Sequence, residues 1–225
     1  MNYLFRLLIL SFFSVLLLVA CKKNYAPVDD AWAINQEKAG RYIVQQGDTL
    51  YAIAWRYNMD YRTLANQNHL SSPYIVKVGQ IIFINPPTHK TSASAITSKN
   101  ISDKTIHWIW PAKGRIITHY SPRVGQKGIN IAGKKGEPIL AAATGKVAYA
   151  GHGLRGYGNL VIIKHNDEFL SAYAHNQTLL VREGDEVQAG QKIATMGNSE
   201  SKMVMLHFEI REAGKSVNPL LYIHP

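Results

Sequence analysis

The 225-residue chain has a single cysteine, at position 21. One cysteine closes no internal disulfide, so a disulfide-stapled fold is excluded. Acidic residues are also few. Fifteen Asp and Glu stand against 25 Lys and Arg, a formal net charge of +10. That balance points to anionic partners such as a cell-wall polymer, lipid headgroups or an acidic protein. A basic solvated surface with no specific partner produces the same count. Large apolar residues are scarce in "PPTHKTSASAITSKNISDKT", and this Ser-, Thr-, Lys- and Ala-rich stretch reads as a flexible linker over 86–107. From Trp108 onward no helix-period segment competes with the short β-prone runs, which argues against a helical second half.

The composition is 46% hydrophobic, enough for one ordinary domain and a small one. Residues 1–20, "MNYLFRLLILSFFSVLLLVA", stand outside both. They carry one charge, Arg6, then an apolar run and a small residue before Cys21. This is the pattern of a secretory signal peptide, although the run is long enough for a retained membrane anchor. "LVAC" resembles the lipobox of bacterial lipoproteins. That resemblance implies lipidation of Cys21 and a tether over 21–40. Lys22 stands where an inner-membrane retention aspartate would, which implies the outer membrane. Without Arg6 the mature chain has 24 basic residues against 15 acidic ones, a net +9. Nucleic acid is a poor partner for an exported chain.

Residues 41–85 form a small unit. Tyr42 to Gln45 is β-prone, and Gly47-Asp48-Thr49 is a turn in which Asp48 or Thr49 can cap a helix. Leu50, Ile53, Ala54 and Tyr57 give that helix one apolar face. Asp60 can cap a second helix carrying Leu64 and Ala65, and "IIFI" returns as a strand. The segments "YIVQQGDTL", "IAWRYN" and "VGQIIFI" resemble a LysM domain in order. The resemblance implies binding of N-acetylglucosamine-containing glycan such as peptidoglycan. The glycan would lie between Gly47, Asp48, Thr49 and Leu50 on one side and Ser72, Pro73 and Tyr74 on the other.

Residues 108–225 alternate short β-rich runs with glycine-bearing turns, which predicts an antiparallel β domain. "KGINIAGKKGEPILAAATGKVAYAG", "GYGNLVIIKHND", "SAYAHN", "VREGDEVQAGQKIATMG" and "LHFEIR" resemble the LytM, or lysostaphin-type, zinc endopeptidases. The predicted fold is therefore mainly β, a LytM-type domain preceded by a βααβ LysM domain. The active members hold zinc with a His-x-x-x-Asp pair and the second histidine of His-x-His. At those positions this chain has Gln126, Asn130 and His207. Met205 stands at the first histidine of His-x-His, and His175 at the catalytic histidine of the "YAH" strand. Neutral amides lack the anionic oxygen or imidazole nitrogen that holds zinc, and a thioether is no general base. His119, His152 and His165 match no metal spacing. The resemblance thus implies no metal, no other cofactor and no catalysis of its own.

Side chains alternate on a strand, so Met205, His207, Glu209 and Arg211 share a face. Tyr173 and His175 are expected to share one on theirs. Together with Tyr157, the residues Tyr173, His175, His207 and Arg211 are expected to line a partner-binding groove. Lipobox, LysM, linker and metal-less LytM domain in that order resemble the NlpD-type lipoproteins. These activate periplasmic N-acetylmuramoyl-L-alanine amidases in septal splitting and daughter-cell separation. A zinc endopeptidase with an unconventional site and a passive wall anchor are the competing expectations.

Overall fold

The structure is a computed structural model that describes residues 40–84 and 106–223. The expected signal segment, Cys21 and nearly all of the tether and linker lie outside the described residues.

The first unit runs β1 (Arg41–Ile43), α1 (Leu50–Arg56), α2 (Tyr61–Gln67) and β2 (Ile81–Phe83). Thr49 caps α1, its hydroxyl accepting the Ala52 amide at 3.1 Å. Asp48 does not cap it. Its carboxylate is taken by the Gln45 amide at 2.8 Å and the Tyr42 hydroxyl at 2.5 Å, which close the preceding turn instead. Asp60 caps α2 through the Arg62 and Thr63 amides, as its position predicts. The Asn68 side chain then pins the end of α2 to β2, donating to Leu64 O and Phe83 O and accepting from Phe83 N. β1 and β2 pair antiparallel with Tyr42 opposite Ile82.

The second unit is a ten-stranded antiparallel sheet. Its strands are β3 (Ile116–Thr118), β4 (Ile129–Ala132), β5 (Pro138–Leu140), β6 (Gly145–Gly151), β7 (Asn159–Lys164), β8 (Phe169–Leu179), β9 (Glu186–Val187), β10 (Lys192–Met196), β11 (Met205–Glu212) and β12 (Lys215–Val217), and the site is built on β4, β6, β7, β8 and β11. They lie in the order β4-β11-β8-β7-β6. One face buries Leu206, Phe208, Ile210, Tyr173, Val161 and Ile163 in a core of its own. The other face carries Ala148, Leu160, Ile162, Leu170, Ala172 and Ala174.

That second face is not open to water. It shares one apolar cluster with Leu50, Ile53, Trp55 and Tyr61 of the small unit. The two units are therefore packed against each other as well as joined by the linker. The physical reason is the row of alanines, whose short side chains let α1 lie close to the strands. The turn after β11 is equally spare, since a Cβ on Gly214 would stand 2.4 Å from Asp60 N. Four hydrogen bonds stitch the contact. Thr49 Oγ donates to Ala148 O at 3.1 Å, Arg56 to Gly153 O at 2.8 Å, and Tyr61 to Asp167 at 3.3 Å. Arg211 donates to Trp55 O at 3.0 Å.

A partly buried titratable group borders the large core. His165 places Nδ1 2.9 Å from Thr144 O and Nε2 2.8 Å from Ser171 Oγ, edge-on to Trp108. Burial pulls its pKa down from 6.5 to about 4. The unfolded chain thus takes up this proton at a higher pH than the folded one does. The stability it contributes is full above 6.5 and is lost as pH falls through about 4. The urea midpoint should drop across that window, and His165→Gln should flatten the drop. An unchanged slope in the variant would show that His165 is not the group responsible.

Candidate functional site

β11 puts Met205, His207, Glu209 and Arg211 on one face, as alternation predicts. β4 lies alongside, with Asn130 directly opposite His207. His207 Nδ1 and Asn130 Oδ1 are 2.7 Å apart. Gln126 closes in from the loop before β4, its Nε2 donating to Asn130 Oδ1 at 3.5 Å and to Gly128 O at 3.4 Å. The loop can come this close because position 128 is glycine. A Cβ there would lie 2.1 Å from Phe208 O.

The other side of His207 meets a carboxylate. His207 Nε2 is 3.1 Å from Glu209 Oε1, and the Tyr157 hydroxyl donates to the same oxygen at 2.8 Å. Arg211 donates to Oε2 through Nε at 3.3 Å and through NH2 at 3.2 Å. Glu209 is fully buried and Arg211 is 1% exposed. Burial works against the Glu209 carboxylate, but Arg211, His207 and Tyr157 outweigh it and hold its pKa at about 2. Burial pushes the Tyr157 hydroxyl up, so it remains a donor. The chain of contacts therefore runs Gln126, Asn130, His207, Glu209, Arg211, with every partner inside the protein.

Arg211 ends that chain under the LysM-like unit. Its guanidinium carbon lies 3.6 Å from the centre of the Trp55 ring. His175 sits beside the chain, its ring 6.1 Å from that of His207 and its Nδ1 2.8 Å from Ser199 O. Burial, then the neighbouring His207, lowers the His175 pKa to about 4. Among the described residues no three His, Cys, Asp or Glu side chains converge as a metal-binding group.

Two family models match the sequence, the LysM domain over residues 42–85 and Peptidase family M23 over residues 124–219. Murein hydrolase activator NlpD of Escherichia coli (strain K12) is 39% identical, over 81% of this chain and 67% of the relative. The chain belongs to the NlpD family. Lipoprotein NlpD/LppB homolog of Pseudomonas aeruginosa, also of that family, is 41% identical over 82% of this chain and 77% of its own. Among solved structures, Csd3 from Helicobacter pylori is 31% identical over 52% of this chain and 33% of that chain, with a TM-score of 0.48.

In this NlpD-family chain the structure brings Gln126, Asn130, His207, His175 and Tyr157 together, with Met205 half-buried one strand repeat away. Three groove assignments need correction. Tyr173 lies on the opposite face of β8, fully buried against Phe208. Its hydroxyl accepts the Ala142 amide at 2.7 Å and the Ser171 hydroxyl at 2.9 Å. The alternation breaks because His175 adopts φ 63° where the β7–β8 register shifts. Arg211 is covered by Trp55 rather than open. Tyr157 is buried at 6% exposure rather than lining an open groove.

The expected glycan edge divides in two. Gly47, Ser72 and Pro73 are exposed, and Asp48 and Tyr74 are half-buried. Thr49 and Leu50 are buried, with the Thr49 hydroxyl committed to Ala148 O. Sequence reasoning put Glu209 on the face of His207 and Arg211 but gave it no role in the groove, and it passed over Trp55. Glu209 had a signal, since an acidic residue alternates there with His207 and Arg211. Trp55 had none, because its partner lies 156 residues away.

Proposed function

We infer that this chain is a non-catalytic activator of periplasmic N-acetylmuramoyl-L-alanine amidases. It would act in septal peptidoglycan splitting and daughter-cell separation, bound to the wall by LysM and to the outer membrane by lipidated Cys21. The M23-type sheet would engage the amidase, favouring the active conformer by binding it more tightly than the inactive one.

One observation carries the non-catalytic part. Asn130 and His207 are hydrogen-bonded to each other at 2.7 Å, where a zinc enzyme would have two ligands of one ion. Ligand atoms on a tetrahedral zinc stand roughly 3.3 Å apart. Gln126 and Asn130 are amides, poor zinc ligands, and the far side of His207 is taken by Glu209. The residues present do not fit zinc. Membership of the NlpD family supports the activator part, since the relative from Escherichia coli is named a murein hydrolase activator.

The test is reconstitution on labelled peptidoglycan sacculi. Mature protein plus amidase should release soluble label well above the sum of the two alone. An amidase that runs equally fast without this chain would end the proposal. Stoichiometric zinc in the purified protein, with chelator-sensitive cleavage, would favour the endopeptidase instead.

A further inference from the structure

We propose that glycan capture and domain docking compete for the same edge of the LysM domain, so that binding to the wall lifts this domain off the M23 sheet. This rests on the reading that the LysM edge takes wall glycan.

Thr49 and Leu50 belong to that edge by their place beside the Gly47 turn. In the docked arrangement Thr49 is 7% exposed and its hydroxyl is spent on Ala148 O, whereas Leu50 belongs to the apolar face of α1. Gly47 lies open, with no atom within 4 Å of where a Cβ would stand, and Ser72 and Pro73 are exposed too. A sugar approaching the docked domain therefore meets Gly47, Ser72 and Pro73 but finds the Thr49 hydroxyl already taken. Thr49 becomes reachable only when α1 leaves the strands.

The docking surface suits a reversible contact. Two of its hydrogen bonds end on backbone carbonyls of the sheet domain, Ala148 O and Gly153 O. Water can replace the donors at such groups once the domains part. The face left behind sets the small side chains of Ala148, Ala172 and Ala174 among Leu160, Ile162 and Leu170, so undocking uncovers apolar surface that a partner can cover in place of α1. Residues 85–105 keep the two domains tethered, so redocking stays intramolecular.

Competition at one edge makes the coupling reciprocal. Whatever factor docking removes from glycan affinity, glycan removes from docking. Lifting the domain also takes Trp55 off Arg211 and uncovers the sheet face around Glu209. The wall would then select the form of the protein whose sheet is free for a partner.

The probe is the N-acetylglucosamine tetramer, titrated calorimetrically into the mature chain in mild detergent. Ala148→Glu places a charge under α1 and should abolish docking, because a lone carboxylate buried there has no counter-charge. The variant should bind the tetramer at least ten-fold more tightly than wild type. Small-angle scattering keeps the idea testable if the variant folds poorly. Saturating tetramer should enlarge the radius of gyration of the wild-type chain. Equal affinities in a folded, undocked variant, or an unchanged radius in saturated wild type, would overturn the competition and leave glycan binding standing. Absence of tetramer binding to both proteins would overturn the glycan reading itself.

Discussion

Glu209→Ala is expected to lower stability by about 3–5 kcal/mol, the loss seen when one partner of a buried ion pair is removed. The urea midpoint should fall at unchanged slope. The size follows from what Glu209 leaves behind. Arg211, at 1% exposure, would keep its charge with no carboxylate beside it. The buried Tyr157 hydroxyl would lose the acceptor it meets at 2.8 Å. The pair need not be stabilising compared with an apolar replacement of both residues; breaking it is what costs. Glu209→Gln preserves the shape and removes only the charge, so it should fall between wild type and alanine. Acid supplies an independent check. The pKa of Glu209 is depressed from 4.5 to about 2, so its contribution is present above 4.5 and is lost as pH falls through about 2. The glutamine variant should lack that part of the acid limb. An alanine variant within 1 kcal/mol of wild type would mean that water reaches Arg211 and that the network is not closed.

This network shows how far the sequence alone could lead. Alternation along "MLHFEIRE" places His207, Glu209 and Arg211 on one face, and the structure agrees. The sequence put Asn130 and His207 at ligand positions of the resembled family, but their direct pairing across β4 and β11 came from the structure. Tyr173 failed because a period of two holds only while the strand is regular, and His175 departs from it at φ 63°. Thr49 rather than Asp48 caps α1, a choice that local pattern left open because both residue types cap well. The helical face of Leu50, Ile53, Ala54 and Tyr57 was legible; the first three are buried, and Tyr57, at the C-cap, is half-buried. That α1 has a second buried side was not. Trp55 lies outside the periodic set, and its burial depends on alanines in strands about a hundred residues further on. Periodicity reports which face of an element is apolar within its own unit. It carries no information about another unit that docks there.

Docking itself concentrates its chemistry in Trp55, so Trp55→Ala is expected to produce the second large effect. Truncating a buried tryptophan typically costs 3–5 kcal/mol, and this one is 2% exposed. Part of that loss is the cavity, and part is the stack on Arg211 at 3.6 Å. The two parts separate in a double-mutant cycle with Arg211→Ala. A cation over a tryptophan face contributes about 2 kcal/mol when desolvated, and that is the coupling expected here. The hydrogen bond from Arg211 to Trp55 O should not enter the tryptophan step, because the carbonyl is backbone and survives the substitution. Arg211→Lys sharpens the assignment. An ammonium keeps the charge near Glu209 but has neither the flat face nor the fork of a guanidinium, so its coupling to Trp55 should shrink. The readout also has to distinguish undocking from unfolding. Loss of the stack alone should free the LysM domain, raising the radius of gyration while far-ultraviolet dichroism stays that of a folded chain. A coupling below about 0.5 kcal/mol would reduce the stack to proximity, and the hold on the LysM domain would then rest on the alanine row and the Thr49 and Arg56 hydrogen bonds.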